Sequence, residues 1–230
     1  MGIQGKRVLV TGVCSAIGEA IARNLVTNGA SVVGLSQSKS ELKRVTSEIG
    51  DGFEPITADI RTSDVILQLA RLGRFDALVC HADLGPNVQV GSSILPDLMQ
   101  QQLFCALHTI EGCGPAMRDA GHGHVLIIEN VPNSAVEGVA KSSYQTWKGG
   151  YDALIRKWSS ELDTAGVKVT VIGLDELDKI QNDQNLKRTL SERVADAVLA
   201  TICERSDAVS APSTHALVEI PSSSETIAAA

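Results

Sequence analysis

Tyr144 and Lys148 are four positions apart, and on a helix that spacing puts both side chains on one face. An ammonium beside a phenol favours phenolate, drawing the pKa down from about 10 so that the oxygen can exchange a proton with an alcohol or carbonyl. Glu129, at the end of an apolar run upstream, adds a third titratable group of the kind proton transfer uses. Its plainer reading is an exposed loop carboxylate or a salt bridge. A second constellation lies near the amino end, Thr11-Gly12-Val13-Cys14-Ser15-Ala16-Ile17-Gly18. Here a glycine permits a tight turn, small residues let a pyrophosphate approach the backbone, and a helix N-terminus offers unpaired N–H groups and a positive dipole. Gly12, Ser15, Ala16, Ile17 and Gly18 are the candidate phosphate contacts, with Ser15 supporting the turn rather than acting as a nucleophile.

Both constellations need a scaffold of alternating strands and helices, and the pattern supplies one. Arg7–Thr11 reads as a strand, and Ile17, Ile21 and Leu25 recur at helical spacing until Asn28-Gly29. Strand Ser31–Leu35, helix Ser40–Ile49, strand Phe53–Ala58, helix Asp64–Leu72 and strand Ala77–Cys80 follow. Beyond a polar stretch come a helix from Pro96 to Ala120, strand His124–Ile128, helix Ser142–Ala165, strand Val167–Ile172, helix Glu192–Cys203 and strand His215–Ile220. This is an α/β chain, a doubly wound Rossmann-type parallel sheet of about seven strands with helices on both faces. Residues 1–221 form one domain, and 222–230 are a frayed tail.

Composition narrows the function. Twenty basic against 27 acidic residues give a net charge of −7, which disfavours a nucleic-acid or anionic-lipid footprint. No apolar run approaches the roughly 18 residues of a membrane helix, and no signal sequence opens the chain, so a cytoplasmic protein is expected. Cys14, Cys80, Cys105, Cys113 and Cys203 are scattered without C-x-x-C, pointing to free thiols, and Cys80-His81 with Asp83 is not spaced for a metal site. His122 and His124 flank a glycine and read as solvated loop residues. Trp147 and Trp158 lie 11 apart on the long helix, a spacing that suits packing or an interface.

Thr11-Gly12-x-x-x-Ala16-x-Gly18, Ala58-Asp59-Ile60, Gly73-Arg74-Phe75-Asp76-Ala77-Leu78-Val79 and Tyr144-x-x-x-Lys148 together resemble the motifs of the short-chain dehydrogenase/reductase family over about Gly5 to Ile220. The resemblance implies an NAD(P)(H)-dependent oxidoreductase acting on a carbonyl or alcohol, with Tyr144 as acid/base, Lys148 as its electrostatic partner and ribose anchor, and Asp59-Ile60 at the adenine. It also implies a homodimer or homotetramer through the fourth and fifth helices. Where dinucleotide folds carry an acidic residue for the ribose 2′-hydroxyl, this chain has Ser36-Gln37-Ser38-Lys39. NADP(H) is thus favoured over NAD(H), with Lys39 or Arg44 neutralising the 2′-phosphate, unless those two are simply a solvated helix face. Val32-Val33-Gly34-Leu35-Ser36 is similar to the dicarbonyl and L-xylulose reductase branch.

Departures from the family pattern cluster at the reaction end, giving a degenerate active site. Asn-Asn-Ala-Gly reads Cys80-His81-Ala82-Asp83; the asparagine of the fourth helix aligns with Gln102, where the family holds a relay water. Asn130 occupies the place of the catalytic serine, Val131 on an ungapped count, with Ser134 a further hydroxyl in the following loop. An Asn130 amide could still donate to a carbonyl oxygen. Leu174-Asp175 replaces Pro-Gly, in an acidic loop with Glu176 and Asp178. Three readings remain open: an attenuated NADP(H)-dependent oxidoreductase, a redox-inactive binding or regulatory protein with no need of cofactor, and non-redox proton transfer around Glu129.

Overall fold

A computed structural model describes residues 2–82, 95–131, 139–175, 184–204 and 216–220. Its strands are β1 (Arg7–Thr11), β2 (Ser31–Ser36), β3 (Phe53–Thr57), β4 (Ala77–His81), β5 (Gly123–Val131), β6 (Val167–Asp175) and β7 (Ala216–Ile220). Its helices are α1 (Ala16–Thr27), α2 (Lys39–Ile49), α3 (Asp64–Arg71), α4 (Leu95–Ala120), α5 (Val139–Asp163) and α6 (Gln184–Glu204). The strands form one sheet in the order β3-β2-β1-β4-β5-β6-β7, and every neighbouring pair is parallel.

Strands buried on both faces require apolar side chains in both directions, which is why β1, β4 and β5 read as near-continuous apolar runs. One layer packs α1, α2 and α6 against Val8, Val10, Val32, Val79, Leu126, Ile128 and Ile172. The other packs α3, α4 and α5 against Leu9, Val33, Leu78, Val125, Ile127, Val169 and Val171. β3 lies at one edge of the sheet, where Pro55 removes a donor at little cost because, among the described residues, no further strand pairs beyond it.

Helix starts follow local chemistry. Ser15 caps α1, its Oγ accepting from Gly18 N at 2.9 Å. Ser38 caps α2 in a Ser-x-x-Glu arrangement, accepting from Glu41 N.

Several boundaries differ from the sequence reading. β5 and β6 run on through Val131 and Asp175, because Glu129, Asn130 and Val131 pair with Gly173, Leu174 and Asp175 despite the polar side chains of Glu129 and Asn130. Asp175 therefore ends a strand instead of lying in a loop. α6 begins at Gln184, eight positions before Glu192, and its first two turns are mostly polar but carry Leu186 and Leu190 four apart, the latter buried in the core. His124 is a correction of substance: it is 6% exposed in β5, its Nε2 bonded to Thr170 Oγ1 at 2.9 Å, so it is a buried ladder residue and not a solvated one. His122 is exposed and meets Arg74. Trp158 is buried in the α4–α5 layer, and Trp147 stacks on Tyr151 with ring centroids 4.9 Å apart. All five cysteines are free thiols, and burial pushes Cys105 and Cys113 up to about 12. Among the described residues no helix is long and apolar enough to cross a membrane. Asp83, Ser134, Glu176, Asp178 and the 222–230 tail lie outside the described residues.

Leu78, the second residue of β4, is fully buried. Leu78→Ala is expected to destabilise the protein by about 2–5 kcal/mol, read as a lower midpoint in urea with an unchanged slope.

Candidate active site

In an open parallel sheet the ligand crevice lies at the carboxyl ends of the strands where the strand order reverses, here between β1 and β4. The last residues of those strands, Thr11 and His81, are locked together. Thr11 Oγ1 accepts from His81 N at 2.9 Å and donates to His81 O at 3.0 Å, with Cys105 Sγ 3.0 Å away on the α4 side. Gly12 then turns with φ +61°, and a Cβ there would lie 2.6 Å from the His81 carbonyl oxygen. Gly18 is equally constrained, since a Cβ would overlap the Gly12 carbonyl. Both positions need glycine so that the loop can fold flat beneath the first turn of α1.

Ser15 Oγ, besides capping Gly18 N, is 3.0 Å from His81 Nε2. His81 is 3% exposed and its Nδ1 has no partner among the described residues. Burial pushes its pKa down to about 4, so the imidazole is neutral at physiological pH. The first-turn N–H groups of Ala16 and Ile17 have no acceptor within the helix, the geometry of an anion site. Ala16 is exposed and Ile17 buried, so backbone and not side chain faces a ligand there.

The adenosine side is built from the ends of β2 and β3. Ser36 ends β2, its Oγ accepting from Ser38 N at 3.3 Å. Lys39 opens α2 and is exposed. Asp59 is clasped by Arg61, whose Nε donates to Oδ1 at 2.9 Å and Nη2 to Oδ2 at 2.7 Å; that charge-assisted bonding holds the Asp59 carboxyl below its ordinary pKa. Arg61 Nη2 also donates to Gln37 Oε1 at 3.0 Å, joining the ends of the two strands. The Ile60 carbonyl is 2.7 Å from His108 Nδ1, which pins the loop to α4. Arg44 does not stand ready for a 2′-phosphate: it is bonded to Glu19 at 2.8 Å and Glu48 at 2.9 Å, in a network that includes Arg23. That pairing fits the reading of Arg44 as part of a solvated helix face and leaves Lys39 as the exposed cation at the start of α2.

At the reaction end, Tyr144 and Lys148 lie one turn apart on α5, and Asn130 lies in β5; the Tyr144 and Asn130 side chains are outside the described residues. Lys148 Nζ donates to Glu129 Oε2 at 2.8 Å and to Asp152. Partial burial works against its charge, but the two carboxylates outweigh it and raise its pKa. Glu129 is 2% exposed within a strand, so the reading of it as an exposed loop carboxylate is overturned and that of a salt bridge stands. Gln102 is buried on α4, and its backbone carbonyl accepts a long bond from Tyr151 O–H at 3.5 Å. Burial pushes the Tyr151 phenol well up, and Glu129 adds to the effect. Among the described residues no three His, Cys, Asp or Glu side chains are grouped to hold a metal ion.

Residues 6–188 match the family model of short chain dehydrogenases. The chain belongs to the short-chain dehydrogenase family. It is 27% identical over 221 residues to an uncharacterized oxidoreductase of Staphylococcus aureus, a match spanning 87% of this chain and 92% of that one. It is 25% identical to dehydrogenase/reductase SDR family member 7B of Danio rerio, over 74% of this chain and 60% of that protein. A solved metagenomic short-chain oxidoreductase in complex with NADP superposes with a TM-score of 0.71 at 26% identity, covering 94% of this chain and 97% of that one. The hydroxysteroid dehydrogenase of Escherichia coli, at 22% identity and a TM-score of 0.72, shares the fold.

Within this short-chain dehydrogenase, sequence reasoning missed four participants: His81, Arg61, Tyr151 and Asp152. Asp152 was findable, being four residues after Lys148 on the same helix face. His81 and Ser15 are 66 positions apart, and only the sheet order brings them together.

His81 generates a pH prediction. An unfolded imidazole takes its proton near 6.5, whereas the folded one refuses it down to about 4. Below about 6.5 the unfolded state binds the extra proton, so stability present at neutral pH is lost as pH falls from about 6.5 to 4. His81→Asn removes that loss. Between pH 7 and 5, urea titrations should show the wild type losing roughly 2 kcal/mol more than the variant; parallel losses would exclude the buried neutral imidazole.

Proposed function

We propose that this short-chain dehydrogenase is an NADP(H)-dependent oxidoreductase acting on a carbonyl or alcohol substrate, with attenuated turnover because Asn130 stands in for the catalytic serine. The observation that carries the reading is the phosphate loop: unpaired N–H groups at the start of α1, two glycines that leave no room for a Cβ, and a position at the β1–β4 reversal. The residues present fit a dinucleotide at that end. Gly12, Ser15, Ala16, Ile17 and Gly18 would hold its pyrophosphate, Asp59 and Ile60 its adenine, Ser36 and Lys39 its phosphorylated ribose, and Tyr144 and Lys148 its second ribose. When bound, the nucleotide supplies or accepts a hydride.

The chain's own residues do the rest. Tyr144 holds the proton that passes to or from the substrate oxygen. Asn130 donates an amide N–H to the same oxygen, stabilising charge as it develops, in place of a hydroxyl. Gln102, one methylene longer than the family's asparagine, would change the setting of any relay water. The missing carboxylate after β2 supports NADP(H) over NAD(H), as does the NADP found in the metagenomic relative. The expected assembly is a homodimer or homotetramer through α4 and α5, and the expected location cytoplasmic. The dicarbonyl and L-xylulose reductase branch gives the first substrates to try.

One observation favours the proton-transfer reading as second: Glu129 is buried beside Lys148. Its carboxylate is already engaged there, which weakens it as a base.

Thermal unfolding with NADPH, NADP+, NADH and NAD+ tests the proposal, because a ligand that binds only the native state must stabilise it. At about 100 times Kd the gain is roughly 2.7 kcal/mol, or several degrees. A shift larger for the 2′-phosphorylated pair is expected, followed by NADPH oxidation with ketones, aldehydes or dicarbonyls that Tyr144→Phe lowers by about 10²-fold or more. No shift with any of the four nucleotides overturns the reading.

A further inference from the structure

One side chain joins the ends of β2 and β3. The Arg61 guanidinium meets the Asp59 carboxylate through its Nε–Nη2 edge, at 2.9 Å to Oδ1 and 2.7 Å to Oδ2, while the Arg61 backbone N–H donates to Oδ1 at 3.0 Å. Nη2 also donates to Gln37 Oε1 at 3.0 Å, so Asp59 and Gln37 share a single nitrogen. A guanidinium donates and never accepts, which fixes the orientation of the Gln37 amide: the oxygen faces Arg61 and the NH2 is turned the other way. Gln37 is exposed, one position beyond β2. The two N–H groups of Arg61 Nη1 are bonded to no described residue.

The position after the second strand is where a dinucleotide fold meets the ribose 2′ carbon, and an acidic side chain there accepts from the 2′-hydroxyl. This chain has the reverse chemistry. The one acceptor of the Gln37 side chain is taken by Arg61, its N–H groups remain, and Lys39 is exposed at the start of α2. Asp59 is the carboxylate at this end, and its charge is answered by Arg61. We propose that Arg61 is a specificity-determining residue for the nucleotide: by neutralising Asp59 and holding Gln37 with its N–H groups outward, it makes the end of β2 a surface of donors, which suits a ribose 2′-phosphate and gives the hydrogen of a 2′-hydroxyl no acceptor. The inference rests on the dinucleotide reading above and assigns its discrimination to a residue of the segment after β3.

Adenosine 2′,5′-bisphosphate and 5′-AMP differ only in the 2′-phosphate and lack the nicotinamide, so calorimetric titration with each reads this end of the site without turnover. The wild type is expected to bind the bisphosphate at least about tenfold more tightly, and Arg61→Ala to weaken the bisphosphate by about 10–100-fold, the range for charge-assisted hydrogen bonds, and 5′-AMP by no more than about threefold. Gln37→Ala should narrow the same ratio, and the double variant should lose less than the product of the single losses, because both act through one contact. A merely structural role for Arg61 would weaken both probes alike. Where Arg61→Ala does not fold, Gln37→Ala decides, its side chain being exposed. Equal binding of the two probes by the wild type, or a ratio that neither variant narrows, overturns the inference and leaves the oxidoreductase reading in place. Binding of neither probe, together with no thermal shift from any of the four nucleotides, overturns the proposed function and this inference with it.

Discussion

At the carboxyl ends of β1 and β4 the sheet divides, one half continuing through β2 and β3 and the other through β5, β6 and β7. A divided edge of this kind exposes backbone groups that must be paired or offered to a ligand. Thr11 closes the floor of the crevice by using one hydroxyl for both backbone groups of His81. With that floor fixed, Gly12 has only one way to turn, Ser15 is placed to cap α1, and the helix start points at the crevice. His81 completes the floor from the β4 side by reaching Ser15 with its ring. The phosphate loop is thus shaped as much by the strand it lies against as by its own glycines.

Charge is distributed unevenly over the site. At the adenosine end, Asp59 is neutralised by Arg61, and Arg44 is absorbed by Glu19 and Glu48. These pairs are largely exposed, so their worth is in placing side chains and not in stability. At the reaction end, Glu129 is buried and Lys148 partly so, and the same kind of pairing acts at a lower effective dielectric. An arginine clasped at the surface can exchange partners freely; a lysine clasped between strand and helix cannot do so without exposing Glu129.

The fold was legible because its signals are local. Arg7–Thr11 and Ala77–His81 announce themselves by apolar and β-branched runs, and α1 by its period and cap. The boundaries that moved are those where polar residues interrupt the apolar signal while the backbone stays regular: Glu129 and Asn130, Asp175, and the mostly polar start of α6 from Gln184. Hydropathy sees the side chain, whereas the ladder is made by the backbone. The site was legible to the extent that it repeats spacings along one helix or loop, as at Gly12 to Gly18 and Tyr144 to Lys148. Pairings that cross elements, such as Ser15 with His81, Arg44 with Glu19 and Lys148 with Glu129, depend on strand order and register, which no local pattern encodes. His124 was misread for the same reason, since its partner Thr170 lies on the neighbouring strand.

The β5–β6 pairing runs unbroken for nine positions, from Gly123 opposite Val167 to Val131 opposite Asp175, while β1 and β4 pair over three. Local openings in a native protein follow the weakest cooperative seams. A fluctuation that separates the two halves of the sheet would part β1 from β4 before it disturbed β5 and β6. The nucleotide-loop half would then loosen as a unit while Glu129 stays on a rigid plank, so a ligand that bridges the seam would act as a clasp between two bodies of unequal stiffness.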